Sequence, residues 1–209
     1  AQLERQRLLA RLAVALDEGE FELYLQPKVD LRAGRVVGAE ALARWRHPER
    51  GILGPLEFLP VIEGSALDLQ FGDWVLTEAF RLLDAWAAGA CRWQLAVNLS
   101  ALHLQSSGLV ARVTELLAQN PAVAPDRLEL EVTESAALSD VRRVGAVTDA
   151  LRALGARGAA ARVGVISDGA NARAAAVASG DLPSDVTVLS ECDPAVSRSS
   201  CNEGTAVLE

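Results

Sequence analysis

Methionine is absent from all 209 residues, position 1 included, so the chain is expected to be a piece of something longer or a trimmed form. Cysteine is scarce. Cys91, Cys192 and Cys201 form an odd set without regular spacing, which excludes a disulfide framework and a zinc pattern. Cys91 lies among apolar neighbours and is expected as a buried or half-buried thiol; a cytoplasmic location is the expectation. Basic residues are outnumbered, 20 Lys and Arg against 28 Asp and Glu, for a formal net charge of −8. That balance excludes a nucleic-acid binder of the usual electrostatic kind, so neither DNA nor RNA is an expected partner. No apolar run approaches the roughly 18 residues needed to cross a bilayer. The opening AQLERQRLLARL has neither the apolar stretch nor the cleavage site of a signal peptide. Aromatics make up 4% of the chain, and none follows Trp93. The second half must therefore pack on Val, Leu and Ala.

Apolar residues nevertheless reach 50%, which excludes a disordered chain. The length suits one large domain or two small ones, and is short for a complete eight-unit α/β barrel of about 250 residues. Spacing predicts a helix over 3–17 and a strand over 21–31, where Phe21, Leu23 and Leu25 alternate. A turn at Ala33-Gly34 and a second strand over 35–45 complete an antiparallel hairpin. A loop is expected over 47–55, a helical turn over 56–63 and a long amphipathic helix over 67–87. Then follow a strand over 92–99, a helix over 108–119, a strand over 128–133 and a helix over 137–154 with Gly155 as its cap. Short strands at 162–166 and 186–189 flank an Ala-rich helical stretch at 172–180. From residue 90 onward this β-α-β alternation predicts parallel strands joined by right-handed crossovers. Residues 191–209 show no periodicity and are expected as a loosely ordered tail.

In parallel α/β folds, functional groups collect at the C-terminal ends of strands. Glu40 lies in the second predicted strand, Asn98 ends RWQLAVN and Glu131 ends LELE. Two carboxylates and an amide carbonyl suit a hard cation such as Mg²⁺ or Mn²⁺, and such a site suits phosphoryl chemistry. Strand-end Glu and Asn are also ordinary surface residues, and spacing alone leaves that alternative open.

The stretch GAEALARWRHPERG, containing Glu40-Ala41-Leu42, resembles the defining motif of EAL-domain cyclic-di-GMP phosphodiesterases. FELYLQPKVDLRAGRVVG is similar to that family's opening hairpin, ILGPLEFLPVIEGS and FGDWVLTEA to its next helices, and AVNLSA and LELEVTES to its later signature strands. The likeness spans residues 17–157. It implies a TIM-like (β/α) barrel with an antiparallel first strand, incomplete here at about five or six of eight units. It divides the chain into a linker helix at 1–20, a partial EAL domain at 21–190 and the tail at 191–209. It implies cyclic di-GMP as ligand and hydrolysis to the linear dinucleotide pGpG. Glu40, Asn98, Glu131 and Asp168 would be the catalytic metal ligands, Gln26 and Arg44 would contact the dinucleotide, and Glu134 would brace a loop. Arg44 as a surface ion-pair partner and Glu134 as a helix-start carboxylate are the structural alternatives. His47 and His103 are expected at a loop and a helix start, not as a catalytic pair.

The likeness breaks after Gly155, where the segment 155–190 diverges. The family's strand ends in two aspartates followed by Phe-Gly-Thr-Gly; this chain reads RVGVISDGANA. Counting back from Leu182-Pro183, with about six extra residues around 158–161, puts Ser167 at the metal-bridging aspartate and Asp168 at the second. Val188 falls at the family's catalytic lysine and Ser190 at its following aspartate. The last strands, which carry a further Glu and Gln in the family, have no counterpart. At most one metal site is therefore expected to form fully, and hydrolysis is expected to be impaired. Natural degeneracy, a damaged reading frame, or completion by a partner chain through oligomerisation or swapping each fits. The alternative function is a non-catalytic module that binds cyclic di-GMP or a protein partner, with a homodimer or an upstream signalling domain as possible partners.

Overall fold

The computed structural model describes residues 2–30, 34–89, 91–133, 141–154, 163–167, 187–188 and 204–208. The chain opens with helix α1 (Gln2–Asp17), which buries Leu12 and Ala15. Strands β1 (Phe21–Asp30) and β2 (Arg35–His47) form the expected hairpin, pairing Gln26 with Glu40 and Lys28 with Gly38. The turn is made at Gly34, whose φ of 61° few side chains adopt. A short β3 (Gly51–Leu53) folds back on the end of β2. The segment expected as a loop over 47–55 therefore contains a strand, and His47 ends β2 instead of sitting in a loop. Its Nδ1 accepts the Glu49 and Arg50 amides at 3.1 and 3.3 Å, closing the turn that makes β3 possible.

A 3₁₀ turn at Pro55–Glu57 and the short α2 (Leu59–Ile62) lead into α3 (Leu67–Ala88). Leu67, Phe71, Val75, Ala79 and Leu83 recur along α3 at helical spacing and are all buried. Its first turn buries Asp68, which would be costly without a partner; Asp68 Oδ2 accepts the Gly64 amide at 2.8 Å. Strand β4 (Gln94–Leu99), helices α4 (Ala101–Gln105) and α5 (Leu109–Gln119), a second 3₁₀ turn (Pro125–Arg127) and β5 (Leu128–Thr133) come next. Helix α4 has too few residues to show periodicity. It exists because Ser100 caps it, its Oγ accepting the His103 amide at 3.1 Å. The last elements are α6 (Val141–Ala153), β6 (Val163–Ser167), β7 (Thr187–Val188) and β8 (Gly204–Leu208).

The strands form one sheet in the order β1-β2-β4-β5-β6-β8-β7. β4, β5 and β6 run parallel, as the alternation predicted, and β2 runs parallel to β4 as well. Beyond β6 the expectation of continued parallel strands is corrected. β8 pairs antiparallel with β6, and β7 pairs antiparallel with β8. The edge of β6 that a parallel strand would extend is taken by chain returning from the opposite direction. Within 191–209, expected as a loosely ordered tail, the structure thus describes a strand. The predicted helix at 172–180 lies outside the described residues. The architecture is an incomplete (β/α) barrel whose sheet is led by an antiparallel strand.

The core explains why the aromatics stop early. Phe21 on β1 stacks on Trp45 at 6.0 Å and meets Phe58, Phe71 and Trp74 at 5.2–5.7 Å. These rings fill the wedge between the hairpin and α3. The parallel strands need less bulk: Leu95, Ala96 and Val97 of β4 are fully buried on both faces, as expected of a central parallel strand.

Candidate functional site

Period-two alternation sorts each strand into two faces. On β2, Ala39, Ala41 and Trp45 are buried, while Glu40 and Arg44 fall on the opposite face. Register carries that second face across the sheet: Glu40 lies opposite Gln26 on β1 and beside Ala96 on β4, Ala96 is level with Glu129, and Asn98 is level with Glu131 on β5. Asn98 is exposed between the buried Val97 and Leu99, one residue before the end of its strand.

The side chains converge as this register requires. Asn98 Nδ2 donates to Glu40 Oε1 at 2.8 Å, although 58 residues separate them. Glu131 is 8% exposed. Burial pushes its carboxyl above the usual range, and repulsion from Glu40 and Glu129 adds to the rise; Lys28 works the other way. Lys28 Nζ donates to Glu131 Oε1 at 2.7 Å and to Glu129 Oε2 at 2.9 Å. Burial disfavours its ammonium, but the two carboxylates outweigh burial and its pKa is raised. Arg44 is half-buried at the rim, its guanidinium 5.5 Å from the Tyr24 ring centroid and its Nη1 donating to the Ala43 carbonyl at 2.9 Å. Gln26 is exposed on the adjoining strand.

Of the sequence-predicted residues, Glu40, Asn98 and Glu131 are thus brought together, with Gln26 and Arg44 on the flanking hairpin. Glu134 and Asp168 lie outside the described residues. Ser167 ends β6, its backbone paired with Gly204. Sequence reasoning missed Lys28 and Glu129. Glu129 carries a signal in hindsight, since the Glu-Leu-Glu of β5 puts two carboxylates on one face. His103 is no partner of His47. It lies buried in α4, with Nε2 3.6 Å from Asp73 Oδ1. Burial lowers its pKa; Asp73 and Asp68 oppose that.

Among the described residues, no three His, Cys, Asp or Glu side chains are gathered as a ready metal cage. The donor chemistry still fits a hard cation. Glu40, Asn98 and Glu131 offer oxygen alone, and a buried carboxylate disfavoured in its charged form is what a divalent ion stabilises.

The profile of the EAL domain matches residues 9–172. The chain belongs to the EAL domain family. It is 41% identical over 153 residues to the bifunctional diguanylate cyclase/cyclic di-GMP phosphodiesterase MucR of Pseudomonas aeruginosa, covering 73% of this chain and 22% of MucR. It is 41% identical over 143 residues to the cyclic di-GMP phosphodiesterase PA2567 of the same organism, covering 68% of this chain and 24% of that protein. The chain therefore spans about a quarter of the length of these relatives. Among solved structures it superposes on the PaMucR phosphodiesterase in complex with c-di-GMP with a TM-score of 0.68 and 40% identity, over 76% of this chain and 62% of that one. The EAL enzyme Bd1971, bound to cAMP and cyclic di-GMP, gives a TM-score of 0.69 at 25% identity, over 74% of this chain and 43% of that one. The incomplete barrel is thus of the EAL type. Among the described residues, no EAL-domain helix here is long and apolar enough to cross a membrane.

Proposed function

We propose that this chain is an EAL-type domain directed at cyclic di-GMP, with one divalent-cation site and impaired hydrolysis. The observation that carries the reading is the meeting of Glu40 and Asn98, with Glu131 level with Asn98 on the next parallel strand. Glu40, Asn98 and Glu131 are the residues that would hold Mg²⁺ or Mn²⁺, and Asp168 would join them. Such an ion supplies a Lewis acid for the phosphoryl oxygen and a water acidified for in-line attack. Arg44 would grip a phosphate through its planar guanidinium. Gln26 would hydrogen-bond the dinucleotide beside it, and Glu134 would have a bracing role. Bulk negative charge does not forbid this, because charges beyond about 8–10 Å are screened.

Impairment follows from two side chains. A neutral Ser167 hydroxyl does not bridge two cations as a carboxylate does. Val188 gives no charge to the phosphate or the attacking water. Electrostatic groups of this kind are worth roughly 2.7–4 kcal/mol each in a transition state, so a rate loss of several powers of ten is expected. The test is incubation of the purified chain with cyclic di-GMP and Mn²⁺, with pGpG quantified by chromatography. Slow but metal-dependent pGpG release supports the enzyme. Saturable binding in Ca²⁺ without turnover in Mn²⁺ supports the second reading, a non-catalytic nucleotide module, which Ser167 and Val188 favour. Absence of both binding and turnover removes cyclic di-GMP from either account.

A further inference from the structure

Lys28 is the only Lys in the chain, and it sits under the site. Its Nζ bridges Glu131 at 2.7 Å and Glu129 at 2.9 Å, partners 103 and 101 positions away. It reaches them from β1, past β2 and β4. Gly38, level with Lys28 on β2, and Ala96, level with Glu129 on β4, carry almost no bulk. Glu131 belongs to the donor set proposed for the cation; Glu129, two residues earlier on the same face of β5, does not. The ammonium therefore has two carboxylates within reach, one that the cation would claim and one that it would leave.

We propose that Lys28 is a displaceable internal counter-ion: it neutralises Glu131 while the cation site is empty and shifts its charge onto Glu129 when a divalent ion takes Glu131. The inference rests on the cation reading above. It makes Lys28 and Glu129 positioning residues with opposite effects. An ammonium beside Glu131 opposes cation entry. A carboxylate that draws that ammonium aside favours it.

The experiment is Mn²⁺ binding to the full chain, followed by the loss of the free-ion electron paramagnetic resonance signal, in parent, Lys28→Met, Glu129→Gln and the double variant. Lys28→Met keeps the alkyl stem and removes the charge, and is expected to bind Mn²⁺ roughly tenfold or more tightly. Glu129→Gln is expected to bind more weakly by a similar factor, and to change little in the Lys28→Met background, where there is no ammonium to draw aside. A merely structural ion pair would weaken binding in both single variants, and that result overturns the proposal. Equal effects of Glu129→Gln with and without Lys28 overturn it as well. A parent that binds no Mn²⁺ counts against the cation reading. Lys28→Met then still decides the counter-ion, since a gained site supports it and continued absence of binding overturns it. Should Lys28→Met fail to melt cooperatively, Lys28→Gln takes its place: tighter Mn²⁺ binding supports the proposal, and unchanged or weaker binding overturns it.

Discussion

Gly38 and Gln94 face each other across the start of the β2–β4 ladder so closely that a Cβ on Gly38 would come within 2.6 Å of the Gln94 carbonyl oxygen. This approach sets how near Glu40, two residues on, lies to Asn98 on the next strand. The glycine is therefore tied to the site as well as to the sheet.

Gly38→Ala is expected to push β2 from β4 and to destabilise the chain by about 1–3 kcal/mol, read by urea titration. It should also weaken Mn²⁺ binding. Gly54→Ala is the comparison. Its φ is −81° and nothing lies within 4 Å of the added methyl, so stability should stay within about 0.5 kcal/mol of the parent.

Asn98→Ala removes the exposed amide that holds Glu40 at 2.8 Å. Because the site loses both a donor oxygen and the group orienting Glu40, Mn²⁺ affinity is expected to fall about 10–100-fold. Since Asn98 is exposed, the urea midpoint should hardly move. A large loss of stability with unchanged Mn²⁺ affinity would contradict the proposed role.

His103 predicts a pH dependence. Burial depresses its pKa from 6.5, and Asp73 and Asp68 only partly oppose that. The unfolded chain therefore takes up a proton at a higher pH than the folded chain does. Its contribution to stability is fully present above about pH 6.5 and is lost as pH falls through the folded value. The slope attributable to one proton is at most about 1.4 kcal/mol per pH unit. His103→Gln should flatten the melting temperature against pH in that window.

Glu20 predicts a second, more acidic loss. Its carboxyl is held below 4.5 by hydrogen bonds from Arg11 and from Trp45 Nε1, the latter at 2.8 Å. The stabilisation is present above pH 4.5 and disappears as the pH drops through the folded value. Glu20→Gln should cost about 1 kcal/mol at neutral pH, and should remove that part of the acid unfolding curve measured by circular dichroism.

Much of this protein is legible before any coordinates. The alternation of Phe21, Leu23 and Leu25, the helical spacing from Leu67 to Leu83, and Asn98 and Glu131 at the ends of buried strands are local patterns. Period and capping depend only on near neighbours. β3 and α4 escaped because three to five residues show no period, and their existence rests on the His47 and Ser100 side chains instead. The direction of β8 escaped because strand polarity depends on the path of the connecting chain, which hydrophobicity does not encode.

The sequence by itself determined the longer strands and helices up to α6, though not the short β3 and α4, together with the family likeness and which oxygen-bearing residues stand at the strand ends. Only the tertiary structure decided that Lys28 lies against Glu129 and Glu131. That contact joins β1 to β5 across two intervening strands, and it depends on small residues at Gly38 and Ala96 and on a sheet that brings distant side chains onto one face.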